Sequence, residues 1–374
     1  MQAQRHPFST LVSGLALFAM FFGAGNLVFP LLLGKVAGSQ SLPAVLGLSI
    51  TAILFPLLGL LAMMLYNGSH RAFFGRVGVR AGLLIYAVVQ ILNGPAGAIP
   101  RIFMISFGTL KPYLPGISLG LFSLIGCAVI LLFVLKPTRM IDIIGTIFTP
   151  ILLVALGVIV VRGLMSHPTA PISNLSTGTS FFTGLKMGYC TLDFIASFLF
   201  AELVIEKLQS NASHLTPAEA RRDVIKHFFK ASLIAAGLLG VIYGCLAFIA
   251  AFHIPLLDPS LRPEELLGAL AVHLLGGKGA LVAAIAVTMA CLTTAVALTL
   301  SCTEWLQQDV FKNRVRIIIP AALTLAISYL LANLGFTRFM GLLSPILFWG
   351  CPFLIILSLV NIALARRYRE LPLH

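Results

Sequence analysis

The chain has 374 residues, of which 59% are hydrophobic and 10% charged, with a formal net charge of +13. A water-soluble protein carries about a quarter of its residues as charges, so this composition belongs in lipid. The positive charges stand in short clusters between apolar runs, which fits membrane topology and argues against a phosphate-binding face or a nucleic-acid partner.

A helix needs roughly 20 apolar residues to cross the hydrocarbon. On that measure ten spans follow one another at about 9–33, 41–65, 81–110, 117–135, 141–163, 181–203, 226–252, 279–303, 315–334 and 338–364. Arg5 precedes the first apolar run, but no small-residue cleavage site follows it, so the run is expected to be a retained span.

The first span is interrupted midway by Gly23-Ala24-Gly25-Asn26, with Pro30 close behind. Each glycine costs a helix interior about 1 kcal/mol relative to alanine. Freed backbone groups inside hydrocarbon are tolerated only where protein or a wet cavity satisfies them. The break therefore reads either as a binding site near the midplane or as a glycine face packed on a neighbouring helix.

The third span contains Asn93-Gly94-Pro95 and Pro100, which predict a kink, with Arg101 reaching back toward the interface. Thr216-Pro217-Ala218-Glu219 predicts the start of an amphipathic helix before span seven. Arg262-Pro263-Glu264-Glu265 predicts a short helix to about His273, either an outer lid or a plain surface helix. The six cysteines, Cys127, Cys190, Cys245, Cys291, Cys302 and Cys351, lie singly in apolar stretches and read as small buried hydrophobes.

The spans form one transport domain, 1–374, of two halves with five spans each, 9–163 and 181–364. An odd number per half makes the second copy enter the membrane from the opposite side, the inverted repeat of many secondary transporters. Span six should then be broken like span one. Gly184-Leu185-Lys186-Met187-Gly188-Tyr189-Cys190-Thr191-Leu192-Asp193 interrupts it as expected. The fold class is thus an all-α membrane protein with discontinuous first and sixth helices.

Positive residues gather on one set of loops: Arg5; Arg71, Arg76 and Arg80; Lys136 and Arg139; Lys207, Arg221, Arg222, Lys226 and Lys230; Lys312, Arg314 and Arg316; Arg366, Arg367 and Arg369. The opposite loops hold only Lys35, Lys111, Arg162, Arg262, Lys278 and Arg338. The asymmetry predicts both termini in the cytoplasm.

Among the polar groups inside the spans, Asp193 is the sharpest, because a mid-span carboxylate costs on the order of 3 kcal/mol on insertion scales. It could bind a cation, face a substrate amine, carry a proton, or simply pair with Lys186. Thr293 and Thr294, a turn after Ala290, offer hard oxygens that suit sodium, or hydroxyls that only bond the carbonyl one turn back. Asn26, Asn93, Thr191 and Ser197 are ligands or interhelical contacts. No metal-hydrolase or nucleophile-elbow motif is present, which argues against an enzyme.

Phe18 to Pro30, FAMFFGAGNLVFP, resembles the signature of the bacterial branched-chain amino acid:cation symporters. Gly188-Tyr189-Cys190-Thr191-Leu192-Asp193 and Ala290-Cys291-Leu292-Thr293-Thr294-Ala295 are similar to that family's sixth and eighth spans. The resemblance implies a LeuT-like fold in the bacterial inner membrane and cation-driven uptake of leucine, isoleucine and valine, usually with sodium. It places the sodium ligands at the carbonyls of Ala19, Phe22 and Ala290 and the hydroxyls of Thr293 and Thr294. The substrate carboxylate would meet the amides of Ala24 and Gly25, with Asn26, Gly188, Tyr189, Thr191 and Asp193 around the substrate. Proton coupling through Asp193 is the alternative. Members of the family usually have about two further spans after the tenth, whereas this chain reaches Arg366-Arg367-Tyr368-Arg369 after it.

Overall fold

The structure is a computed structural model that describes residues 8–135, 149–166, 173–212 and 216–365. Arg5, Lys136, Arg139, Arg366, Arg367 and Arg369, on which part of the expected orientation rests, and the start of span five lie outside them. The described residues are almost wholly helical and contain no strand.

Each of the ten sequence-drawn spans contains a described helix. Span one is α1 (Phe8–Phe21) and α2 (Ala24–Ala37). Span two is α3 (Ser41–Ser49), a π-helical turn Ile50–Leu54 and α4 (Phe55–Met64). The short α5 (His70–Phe74) leads to span three, which is α6 (Val79–Asn93) and α7 (Ala98–Leu110). Spans four and five are α8 (Leu119–Leu135) and α9 (Thr149–Met165). Span six is α10 (Thr177–Tyr189) and α11 (Asp193–Asn211), bent by 42° at their junction. Spans seven to ten are α12 (Pro217–His253), α13 (Leu266–Trp305), α14 (Ile318–Ala332) and α15 (Phe336–Ala365).

Two expectations about the loops are refined. The amphipathic helix opened at Thr216 does not stop before span seven: α12 runs on for 37 residues. The Glu219 carboxylate fixes its start by accepting from the Thr216 amide (3.3 Å) and hydroxyl (2.7 Å). The outer helix after Arg262 begins as a 3-10 turn, Pro263–Glu265, and continues into α13, which leaves helical geometry at Gly276 (φ 70°, ψ 173°). That positive φ costs a glycine nothing sterically and lets the outer segment lie at an angle to the membrane part. The outer segment packs on the end of α7, where a Cβ at Gly108 would come within 2.3 Å of the Glu264 carbonyl oxygen. Lys111 Nζ reaches Glu265 Oε1 at 2.5 Å.

The packing of the helices is reciprocal. Both parts of span one pack on α12 of span seven, while the two parts of span six pack on α3 and α4 of span two. The first helix of each half thus lies against the second helix of the other, as a two-fold relation between inverted halves requires. Span three packs on span eight, each the third of its half, and span four on span nine. Glycines permit the close approaches. A Cβ at Gly34 would lie 2.0 Å from the Ala247 carbonyl oxygen, and one at Gly184 would lie 1.9 Å from that of Ala44. Backbones this near are the small-residue packing by which helices associate in lipid.

Candidate functional site

The two breaks are built differently. In span one, Gly23 is extended (φ −116°, ψ −167°) and its amide donates to Asn26 Oδ1 at 3.4 Å. In span six, Leu192 occupies the left-handed region (φ 71°), which costs a residue with a Cβ on the order of 1–2 kcal/mol. Local bonds hold that turn. The Thr191 hydroxyl donates to the Gly188 carbonyl (2.9 Å) and accepts from the Asp193 amide (3.4 Å).

Asp193 then opens α11, 2% exposed, and three spans converge on it. Asn26 Nδ2 from span one lies 2.9 Å from each carboxylate oxygen, and the Tyr243 hydroxyl from span seven donates to Oδ2 at 2.7 Å. Asn26 Nδ2 also donates to the Tyr243 hydroxyl. Lys186, the structural partner considered for this carboxylate, is exposed on α10 and forms no ion pair with it.

Arg101 corrects the sequence reading. Instead of reaching to the interface it is 2% exposed in the first turn of α7, and it bonds across to the span-six break. Nη2 donates to the Thr191 carbonyl at 3.1 Å and Nη1 to the Cys190 carbonyl. The guanidinium also stands 5.8 Å from the centre of the Phe29 ring. The kink expected from Asn93-Gly94-Pro95 is present as the gap between α6 and α7, and it turns Arg101 inward.

In span eight the Thr293 and Thr294 hydroxyls both donate to the Ala290 carbonyl, at 2.7 and 3.3 Å. Three hard oxygens therefore sit together, and Thr294 faces the first break: a Cβ at Gly23 would be 3.6 Å from its Cγ2. Ala19 lies half-buried in the last turns of α1, and Phe22, 2% exposed, stacks on Phe18 at 5.1 Å.

A small cavity of about 30 Å³ lies between the breaks. Of the residues singled out in the sequence, Ala24, Gly25, Asn26, Thr191, Asp193 and Thr294 line it. Gly188 and Tyr189 do not. Gly188 is pressed against Thr51 in the π-helical turn of span two, where a Cβ would lie 1.9 Å from the threonine hydroxyl, and Tyr189 stacks on Phe55 at 6.2 Å. Asn93 and Arg101 line the cavity too.

The profile of the family described as branched-chain amino acid transport protein matches residues 7–371. The chain belongs to that family. Among relatives, this transporter is 32% identical to the branched-chain amino acid permease BrnQ of Bacillus subtilis, over 92% of this chain and 79% of that one. It is 30% identical to the permease BraB of the same organism, over 94% and 79%. Among solved structures it is similar to Mhp1 in its inward-facing conformation (TM-score 0.64, 16% identity, 98% of this chain and 78% of that one). It is also similar to MhsT in complex with L-phenylalanine (TM-score 0.56, 17% identity, 85% and 78%). The LeuT-like fold is therefore shown, and the protein is a multi-pass membrane transporter of amino acids from a bacterial family, not an enzyme.

Two residues that bond to the breaks do not stand out as site residues in the sequence. Tyr243 stands alone in an apolar run between Gly240 and Gly244, where a tyrosine looks like core. Arg101 carried a signal, a charge one residue after a proline inside a span, but that signal does not say which way the side chain points.

Proposed function

We propose that this transporter carries out sodium-coupled symport of leucine, isoleucine and valine by alternating access, with both termini in the cytoplasm. The observation that carries the reading is that the breaks of spans one and six share one cavity, with Thr294 of span eight in its wall. The Ala290 carbonyl with the Thr293 and Thr294 hydroxyls is a donor set of hard oxygens suited to sodium, which with the carbonyls of Ala19 and Phe22 would complete an ion site beside the Gly23 break. The amides of Ala24 and Gly25 open α2, so its positive dipole end points at the cavity and favours a carboxylate there.

Coupling follows from differential affinity. A cation held between spans one and eight stabilises whichever arrangement of the two halves brings those oxygens together, and shifts the equilibrium only by that difference. Apolar walls such as Met20, Ile102 and Leu298 separate substrates by about 1–3 kcal/mol per methylene, so the three aliphatic amino acids should compete.

The second reading, proton coupling, is favoured by Asp193 itself, a buried carboxylate with a hydroxyl and an amide on its oxygens. Proteoliposomes preloaded with unlabelled leucine test the carrier reading. Faster entry of labelled leucine into loaded than into empty vesicles supports it, and equal non-saturating entry into both contradicts it.

A further inference from the structure

Two residues that line this cavity each carry a buried donor without an acceptor. Arg101 Nε and Asn93 Nδ2 lack a hydrogen-bond partner, although the two residues are 2% and 1% exposed. They stand on either side of the break in span three, Asn93 closing α6 and Arg101 in the first turn of α7, and both line the same cavity. Among the described residues no carboxylate forms an ion pair with Arg101. The Asp193 carboxylate, in the same cavity, has its oxygens engaged by Asn26 and Tyr243. A buried guanidinium without a direct ion pair is costly, and so is a buried amide left unpaired.

The missing partner is therefore an acceptor, and the positive guanidinium favours one that is an anion. A cation does not fit donors, and water would supply an acceptor without the charge. We infer that the break in span three is the carboxylate-recognition element of the transporter, with Arg101 and Asn93 donating to the carboxylate of the bound amino acid. The inference deepens the proposed function and rests on it. Gly25 leaves the approach open: a Cβ there would stand 3.0 Å from both Arg101 Nη1 and the Thr191 carbonyl oxygen. Arg101 meanwhile ties span three to the carbonyls of Cys190 and Thr191, so an anion drawing on the guanidinium acts on the span-six break as well. Arginine suits this task because its planar fork can serve two carbonyls and still present a further N–H.

The test is binding of labelled leucine to the purified protein, competed by unlabelled leucine and by leucinol, which has a hydroxymethyl group in place of the carboxylate. Arg101→Gln should weaken leucine binding at least about tenfold, the loss of one charge-assisted pair, while the leucinol constant changes by less than about twofold. Asn93→Ala leaves the bonds to Cys190 and Thr191 in place, so it decides the matter should Arg101→Gln fail to fold. It should reduce discrimination between leucine and leucinol several-fold. Replacing chloride by gluconate distinguishes a free anion from the substrate's own carboxylate, and leucine binding should be unchanged. Variants that discriminate like the wild type, or binding that requires chloride, would overturn this inference alone. A wild type that binds neither leucine, isoleucine nor valine would overturn it together with the proposed function.

Discussion

The Tyr243 hydroxyl donates to Asp193 Oδ2 at 2.7 Å, joining the middle of span seven to the break in span six. Asn26 of span one completes the contact from the other side. These three residues come from helices that are far apart in sequence.

Removing the hydroxyl by Tyr243→Phe takes one donor from a buried carboxylate. Hydrogen bonds to charged groups are worth about 1.5–3 kcal/mol, so uptake should fall by roughly tenfold or more as the break loses its anchor. Initial rates of leucine uptake check this, with the amount of protein in the membrane measured alongside. Unaltered uptake would mean that the contact does not organise the site.

Asn26→Asp places a second carboxylate against Asp193. Two carboxylates at this distance do not both ionise, so the variant should gain a proton between them. Its uptake should acquire a steeper pH dependence than that of the wild type and Asn26→Gln, seen in rates measured from pH 5 to 8.

Thr294→Ala removes one hard oxygen from the set facing Gly23. The expected result is a sodium concentration for half-maximal uptake raised about tenfold or more, with the affinity for leucine at saturating sodium little changed. Rates over a sodium series give both quantities. A variant with full sodium dependence would remove span eight from the ion site.

Gly184→Ala should destabilise the fold by about 1–3 kcal/mol, because its Cβ would lie 1.9 Å from the Ala44 carbonyl oxygen and spans two and six would have to part. Gly178→Ala, six residues earlier on the same helix, meets nothing within 4 Å and should be close to neutral. Thermal unfolding in detergent, compared at one scan rate, separates the two.

The fold was largely legible because its decisive features are compositional. Gly23 and Gly25 with Asn26, and Gly184 and Gly188 with Asp193, interrupt apolar runs that would otherwise be uniform, and a break inside lipid carries a strong physical penalty. The direction of a side chain carries no such signature. The family resemblance groups Gly188 and Tyr189 with the substrate residues. They still belong to α10, whose face is committed to Thr51 and Phe55 of span two. Arg101 reads as an interfacial residue because long cationic side chains snorkel, whereas here the gap between Asn93 and Ala98 rotates it onto the carbonyls of span six. The left-handed Leu192 and the π-helical turn at Ile50–Leu54 leave no mark in residue type.

Coupling is the centre of the account, and proteoliposome uptake of labelled leucine with sodium and proton gradients imposed separately tests it most directly. Sodium coupling gives concentrative uptake under an inward sodium gradient at equal pH on both sides, and none under a proton gradient without sodium. Uptake driven by the proton gradient alone, indifferent to sodium and abolished in Asp193→Asn, would contradict it.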